Sequence, residues 1–493
     1  MNLNFAYLSL QWQNGSIQAV GTHHYIQSRS YNQTPERSHL YQGMSRWDWD
    51  GKKLTCQTSI TGYLPIYYCL DKNEITVSTS LIFLAKKQNS LLNLPAIILF
   101  LVLGDYIEDK TPFANIHALP LDSILSWSPT EGLSVYLNRN PTHTTINILE
   151  AMYQYDQLVC KAVQTNSVTD ISQGLSGGSD SRHILFAIHK VGNQIPALYT
   201  SFHYIDVLSS ADVEIAQMVA KTLGVKIKTI NPIPNRVDAE LIKNKFVEFQ
   251  SLEHSWGINL ANALKDSEFL YDGMNGGALF GQSVLVKYLR KKHGQSLPDW
   301  DQMQKDIIET FFTKRIDFLR QIIFLRFLSE EHINTAKTIF ENSLQTYKNY
   351  PNPFQAFRYY NHVSRNTSLF TYGLMKNNKI LCPLDTPEMV RFALSLPWEI
   401  SSDPDFQIKT IRKYYPDFAH IPFVQEYQPQ KQGFLPDFNS ESKSLLQIKK
   451  LIRSNLTEKG LAEIESGKVK LTYLQLFSYL AQLRENFTWH DIW

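Results

Sequence analysis

The chain has 493 residues, enough for about two to four domains of ordinary size. Hydrophobic residues at 43% and charged residues at 19% form an ordinary globular mix, which excludes a disordered or fibrous chain. Lys and Arg number 48 against 46 Asp and Glu, a balance that argues against a binder of phosphate backbones. The four cysteines, none in a CxxC pair, exclude a disulfide scaffold and a zinc knuckle.

The opening MNLNFAYLSLQWQNGS has no basic region followed by an apolar stretch and a cleavage site. The most apolar run, residues 96–103, is far short of the ~20 residues that cross a bilayer. These features predict a soluble, cytoplasmic chain with reduced thiols and with no membrane or nucleic-acid partner.

Residues 1 to about 90 have a β-rich pattern. Strands are predicted at 54–61, 64–70 and 74–80, with Gly62 as a break and Asp71-Lys72-Asn73 as a hairpin turn. Pro95 opens a run that is apolar all round to Gly104, a pattern for a buried helix. Loops and short strands follow over 111–127.

The middle third changes character. A strand at 170–175 runs into the small-residue turn 176–181 and a helix at 183–190. A strand at 196–201, a helix at 211–223 stopped by Gly224, and a strand at 225–230 complete a β-α-β-α-β order. That order predicts a parallel sheet, with ligands at the carboxyl ends of its strands, where the 176–181 turn falls. Beyond about 300 the pattern is mostly helical. Residues 307–328 have the pattern of a helix lying on a core, and 442–480 that of Lys-rich solvated faces.

The strongest chemical signal is Ser176-Gly177-Gly178-Ser179-Asp180-Ser181. Two glycines after a strand allow a tight turn and a close approach to a ligand. The following helix aims unpaired N–H groups at the same place, and Ser176 and Ser181 add hydroxyls, which together make a nest for phosphates. Asp180 is the odd member, because a carboxylate repels phosphate unless a cation lies between; that makes it a Mg²⁺ ligand. The alternative is a plain helix N-cap, for which Ser, Gly and Asp are all suited. No GxxxxGK[ST] stretch occurs, so a Walker-type cradle is excluded.

SGGSDS resembles the pyrophosphate-binding SGGxDS loop of the ATP-pyrophosphatase superfamily, and further segments resemble its asparagine synthetase branch in the expected order. These are Ser210-Ala211-Asp212-Val213-Glu214 leading into AQMVAKTLGV, Ile380-Leu381-Cys382-Pro383-Leu384-Asp385 with Glu388-Met389-Val390 and FALSLP, Lys409-Thr410-Ile411-Arg412, and Lys431-Gln432-Gly433-Phe434. Upstream, Thr61-Gly62 with Pro65-Ile66-Tyr67-Tyr68, Thr111-Pro112-Phe113 and Leu119-Pro120 resemble the end of that branch's N-terminal amidotransferase domain. The resemblance runs from about residue 60 to 436. It implies an α/β protein with two domains: a β-rich, degenerate amidotransferase-like domain over 1–140, and a Rossmann-like parallel-sheet synthetase domain with C-terminal helices over 141–493.

Two departures bear on function. Synthetases of this branch begin with a nucleophilic cysteine exposed after Met removal; position 2 here is Asn2, an amide without nucleophilicity, and the nearest cysteine is Cys56. Glutaminase activity is therefore not expected, and the chain is similar in this respect to β-lactam synthetases and lasso-peptide cyclases. The stretch Tyr271-Asp272-Gly273-Met274-Asn275-Gly276-Gly277-Ala278-Leu279-Phe280-Gly281 resembles the branch's G-x-G-G-D-E-L-F-G segment, yet its carboxylate position is Gly277 and its variable position is Met274. Asp272 is the nearby acid that could serve the metal instead; the other reading of the segment is a Gly-rich turn at the sheet edge.

The resemblance implies ATP and Mg²⁺ as cofactors, with Ser176 to Ser181, Asp272 and Gly273 around the nucleotide and Asp180 on the metal. It implies Lys431 as the lysine that stabilises charge in amide formation, and Lys409 and Arg412 as braces of the C-terminal helices. The implied reaction is adenylation of a carboxylate followed by attack of an amine, most simply one in the same molecule, as in macrolactam or β-lactam closure. Such a cyclase implies a small-molecule or peptide substrate, and for a peptide, a precursor peptide and its protease as partners. The rival readings are an ammonia-using ligase and a non-catalytic relic that binds nucleotide or a partner.

Overall fold

The computed structural model describes residues 5–429, apart from 14, 29–43, 62–63, 73, 165–169, 204–205, 252–253, 282, 295, 297, 323–327 and 375–378, together with 457–459. The N-terminal part holds β1 (Tyr7–Gln13), β2 (Ser16–Gly21), β3 (His24–Ser28), β4 (Met44–Trp49), β5 (Leu54–Thr58), β6 (Tyr67–Asp71), β7 (Glu74–Ser78), β8 (His117–Ala118), β9 (Ser123–Ser128) and β10 (Gly132–Leu137). They form two antiparallel sheets, ordered β2-β1-β7-β6-β8 and β10-β9-β5-β4-β3. Alternate residues point inward, so Leu8 and Leu10, Ile75 and Val77 from one sheet meet Trp47 and Trp49, Leu54 and Cys56, Leu125 and Trp127 from the other. The strand predicted to start at 64 starts at Tyr67, since Leu64-Pro65-Ile66 lies outside the ladder. Cys56 is fully buried in this core, and burial pushes its thiol far up, which removes it as a nucleophile.

Helix α1 (Leu81–Lys87) and helix α2 (Leu94–Leu103) lie between β7 and β8 in the chain. Asn93 caps α2 by accepting from the Ala96 N–H, and Gly104, at φ 82°, closes it in the left-handed region. Residues 96–102 are all buried, as the all-round apolar pattern predicted, because α2 is enclosed by the later helices, among them Glu330–Thr346.

The second part is organised on a five-stranded parallel sheet of β11 (Ile171–Gly174), β12 (Ala197–Ser201), β13 (Ile227–Ile230), β14 (Phe269–Tyr271) and β15 (Lys379–Leu381). Its order is β13-β12-β11-β14-β15, with β11 central. Its helices are α3 (Ile148–Gln164), α4 (Ser179–Lys190), α5 (Asp206–Thr222), α6 (Arg236–Phe246), α7 (Ile258–Leu264) and the single turn α8 (Gly276–Leu279). Leu198, Phe269 and Tyr271 share a core with α3, α4 and α5, while Leu270 and Ile380 pack with α7 on the other face. The chain moves outward from β11 in one direction through β12 and β13, and in the other through β14 and β15. The crevice between the carboxyl ends of β11 and β14 is thus the topological switch point, the place where such sheets take ligands. The molecule is α/β throughout its second part, with helices completing the C-terminal region.

The segment predicted as one helix over 307–328 is Trp300–Ile308, a π-helical stretch Glu309–Thr313 and Lys314–Ile322, with 323–327 outside the described residues. Most of 442–480 is also outside them. Another π-helical stretch, Tyr359–Thr367, joins the two parts. From it Arg365 donates to the carbonyl oxygens of Tyr106 at 2.6 Å and Glu108 at 3.0 Å, and Tyr359 donates to that of Ile60 at 3.1 Å. From the other side, Glu248 accepts from Ser80 Oγ at 2.6 Å and from the Leu81 and Ile82 N–H groups at 2.5 and 3.3 Å. Glu248 and Phe249 both have positive φ, 45° and 65°, conformations that persist only where surroundings enforce them. A small cavity at this junction touches Thr61, Leu64, Glu108 and Arg365. Among the described residues no helix is long and apolar enough to cross a membrane.

Candidate nucleotide and metal site

Strand β11 ends at Gly174, and the chain turns through 175–178 into α4, which begins four residues earlier than the sequence pattern placed it. Ser179, Asp180 and Ser181 are therefore the first helical turn. Gly178 is the N-cap, extended at ψ 172°, with no side chain capping the turn. The first-turn N–H groups consequently have no carbonyl partner within the helix and carry its positive dipole end into the crevice.

The loop itself is closed by internal bonds. The Ser176 N–H donates to Ser181 Oγ at 3.0 Å, the two hydroxyls lie 3.1 Å apart, and the Gly178 N–H donates to Ser176 Oγ at 3.2 Å. The two serines, expected to offer hydroxyls to a ligand, hold the shape of the turn in this conformation. The Gly177 N–H donates to Asp212 Oδ1 on α5 at 2.8 Å. A Cβ on Gly177 would stand 2.8 Å from Val424 Cγ2 and 3.2 Å from Asp212 Cα, so the close approach requires glycine there. Burial pushes Asp212 up to about 6, against the opposing Gly177 N–H and Arg182. Arg182, also buried, donates to the carbonyls of Gly178 and Pro422 and stacks 3.6 Å from the Phe423 ring centroid.

Opposite this turn the chain leaves β14 through Asp272 to Gly277. Asp272 Oδ1 accepts from the Met274 N–H at 2.7 Å, which bends the chain back over α4. A Cβ on Gly273 would lie 3.0 Å from Asp180 Cβ, and one on Gly276 would lie 2.2 Å from Asp180 Oδ1. The two glycines thus let the segment wrap the Asp180 carboxyl. Burial pushes Asp180 up to about 6; Gln407 and the Gly277 N–H pull it down, and the negative charge of Asp272 pushes it up again. Gln407 Nε2 donates to Asp180 Oδ1 at 2.6 Å and to Tyr155 OH at 3.0 Å, while Gln407 Oε1 accepts from Ser179 Oγ at 3.0 Å.

The structure therefore brings Ser176, Gly177, Gly178, Ser179, Asp180, Ser181, Asp272 and Gly273 into one crevice. Gly277, at the carboxylate position of the resembled motif, supplies only a backbone donor. Met274 is buried among Leu260, Leu264, Leu270 and Ile380 and belongs to the core of the second face. Asn275, at φ 74°, is buried with both amide atoms unpartnered. Lys409 pairs with Asp403 at 2.6 Å and Arg412 with Glu426 at 2.7 Å, interactions that brace the C-terminal helices. Lys431 lies outside the described residues, as do Gln432, Gly433 and Phe434. At the end of β12, His203 stacks on Trp256 with centroids 3.9 Å apart; burial and then His254 push it down to about 4, so it is neutral.

The sequence reading missed Gln407, Asp212 and Arg182 as members of this site. Gln407 stands two residues before Lys409 on the helix Phe406–Tyr414, and no local pattern marks it.

Among the described residues no cluster of three or more His, Cys, Asp or Glu forms a metal cage. The pair Asp180 and Asp272 nonetheless fits Mg²⁺, which takes one or two carboxylates and completes its shell with phosphate oxygens and water. The cradle that a Cβ on Gly276 would fill keeps the Asp180 carboxyl at the crevice.

No family model matches the chain, and no curated protein matches it. Solved structures similar to parts of it include the glutamine phosphoribosylpyrophosphate amidotransferase from B. subtilis complexed with ADP and GMP, at 10% identity over 45% of this chain and 63% of that one, with a TM-score of 0.16. A structure of the allosteric regulatory enzyme of purine biosynthesis is 10% identical over 39% of this chain and 48% of that one, TM-score 0.14. The NH3-dependent NAD synthetase from Campylobacter jejuni subsp. jejuni NCTC 11168 in complex with the nitrate ion is 16% identical over 40% of this chain and 95% of that one, TM-score 0.20. The chain spans less than two thirds of the first two. Likenesses this distant carry no argument about fold or reaction, which rest here on the chain's own geometry.

Proposed function

We propose that this protein is an ATP-dependent, AMP- and pyrophosphate-forming amide-bond synthetase without glutaminase activity. The observation that carries the reading is the meeting, at one switch point, of an uncapped helix N-terminus with two carboxylates, Asp180 and Asp272. Helix N–H groups alone bind an anion; an acid at the same place calls for a cation between it and that anion. Mg-nucleotide satisfies both.

In this mechanism the first turn of α4 holds the β- and γ-phosphates, and Asp180 and Asp272 would hold Mg²⁺. A bound Mg²⁺ supplies neutralisation of charge on the phosphate oxygens. A substrate carboxylate attacks the α-phosphorus, forming an acyl-adenylate and releasing pyrophosphate. An amine then attacks the acyl carbon, forming the amide and releasing AMP. The N–H donors of the first turn of α4 are held in place before reaction because the preceding loop is tied down by its own Ser176–Ser181 and Gly177–Asp212 bonds, so little reorganisation opposes charge development. Lys431 is the residue proposed to stabilise charge in the second step. The acceptor amine is proposed to belong to the same substrate, with ring closure in a peptide or small amino acid as the product; a precursor peptide and its protease are then the expected partners.

The test is pyrophosphate release from ATP over a panel of acids and linear peptides, comparing wild type with Asp180→Ala. Loss of release in the variant supports the assignment; undiminished release refutes it. A non-catalytic nucleotide binder is the second reading, favoured by Gly277 and by the buried Met274 at the two altered motif positions. It predicts Mg-ATP binding without pyrophosphate release under any substrate.

A further inference from the structure

We propose that Gln407 is a positioning residue that aims the Asp180 carboxylate, so that the direction of the metal-bearing acid is set by the C-terminal helices and not by the loop that carries it. The inference rests on the reading of the crevice as a Mg-nucleotide site and identifies what governs that site's affinity for the cation.

The carboxamide of Gln407 is committed on both ends. Its two N–H donors go to Asp180 Oδ1 at 2.6 Å and Tyr155 OH at 3.0 Å, and its oxygen accepts from Ser179 Oγ at 3.0 Å. An ionised carboxylate accepts only, so the nitrogen must face Asp180 and the amide cannot be turned over. Gln407 is buried, and Tyr155 is fully buried, against the Phe280 and Phe406 rings and edge-on to His183. The hydroxyl that receives the second N–H is thereby fixed, and through it the amide plane.

A buried amide in a helix costs free energy unless every polar atom is used, and an aliphatic side chain would fill the same space without that requirement. Here the amide joins three elements, α3 through Tyr155, α4 through Ser179 and Asp180, and its own helix. Within the loop, Ser176 and Ser181 bond to each other and Gly177 bonds to Asp212, so none of those groups directs the acid. Two donors hold Asp180, the backbone N–H of Gly277 and the Gln407 amide, and Gln407 supplies the one that comes from a side chain, from a position 227 residues along the chain.

The experiment uses the full chain with Gln407→Met, which keeps length and volume without the donors, Gln407→Glu, which keeps the shape and adds a charge, and Asp180→Ala. Three quantities are measured: Mn²⁺ binding by electron paramagnetic resonance in the presence of ATP, ATP binding without divalent cation, and the melting temperature. Gln407→Met is expected to weaken Mn²⁺ binding about tenfold, the size of one hydrogen bond to a charged group, with metal-free ATP binding changed less than about twofold. Gln407→Glu is expected to recover cation binding relative to Gln407→Met, because the added carboxylate is itself an oxygen ligand, while melting at a lower temperature than wild type through repulsion with Asp180. If Asp180→Ala loses cation binding while both Gln407 variants keep the wild-type value, the inference is overturned and the site reading stands. If Asp180→Ala itself keeps wild-type cation binding, the site reading falls and the inference with it.

Discussion

Gly276→Ala tests the crevice geometry most directly. The added methyl would stand 2.2 Å from Asp180 Oδ1, 2.5 Å from its Cγ and 2.7 Å from Leu384 Cδ1, where ordinary contact begins near 3.4 Å. Asp180 cannot retreat freely, since Gln407 holds it at 2.6 Å. Leu384 is fully buried and has no room to give. Overpacking of this kind costs about 1–3 kcal/mol, a fraction of a typical stability of about 5–15 kcal/mol, so the variant remains folded and its melting temperature falls by a few degrees. The carboxylate must move by roughly an ångström, and a displacement of that size in a reacting geometry costs on the order of 10²-fold in rate. Pyrophosphate release is measured beside a thermal melt. Gly174→Ala is the control, because its methyl would meet only Leu260 Cδ2, at 3.9 Å, an ordinary contact outside the crevice. Wild-type melting and wild-type release in Gly276→Ala would refute the packing of this segment on Asp180.

Gly177→Ala is expected to fall between those two, since its methyl meets the stiff Val424 side chain at 2.8 Å and the α5 backbone at Asp212 at 3.2 Å, while the Asp180 carboxyl is not among its nearest atoms; the same melt and release assays rank the three. Asp156 is fully buried; burial pushes its carboxyl up, but bonds from His183, Lys190 and Tyr415 outweigh it and hold the group at about 2. A lowered carboxyl contributes stability above the ordinary value of 3.8 and loses it as pH falls toward 2, here about 2 kcal/mol; Asp156→Asn should be less stable at pH 7 and show a flatter acid limb in denaturant titrations. Glu248→Ala removes the acceptor of Ser80 Oγ and of two N–H groups at the start of α1, and should destabilise by about 1–3 kcal/mol in urea unfolding.

The parts of this architecture that were legible in the sequence are those whose signal is local. The SGGSDS turn, the apolar run of α2 and the alternation around β11, β12 and β13 each show within a dozen residues. Strands β14 and β15, three residues each, are too short to display a period and are recognisable only from their pairing. The start of α4 at Ser179 was hidden because Ser and Asp have weak helix propensity, although both suit a first turn. Helix α3 escaped notice despite apolar residues at helical spacing. Gln407 was invisible for another reason: its function lies in a contact across 227 positions, and glutamine in a helix is ordinary. That Gly277 stands at the carboxylate position of the resembled motif was legible, yet only the structure shows that its N–H serves Asp180.

The clasp at Glu248 and Phe249 has a consequence for the N-terminal sandwich. Two successive left-handed residues are held where the Glu248 carboxylate enters the start of α1, and the neighbouring Gln250 bonds to Tyr67 on β6. Cut away from that sandwich, the segment between α6 and α7 would lose the contacts that enforce its unusual backbone, and the arginine of the Tyr359–Thr367 stretch would lose its carbonyl acceptors. The N-terminal sandwich therefore acts as a mould for the backbone of its neighbour.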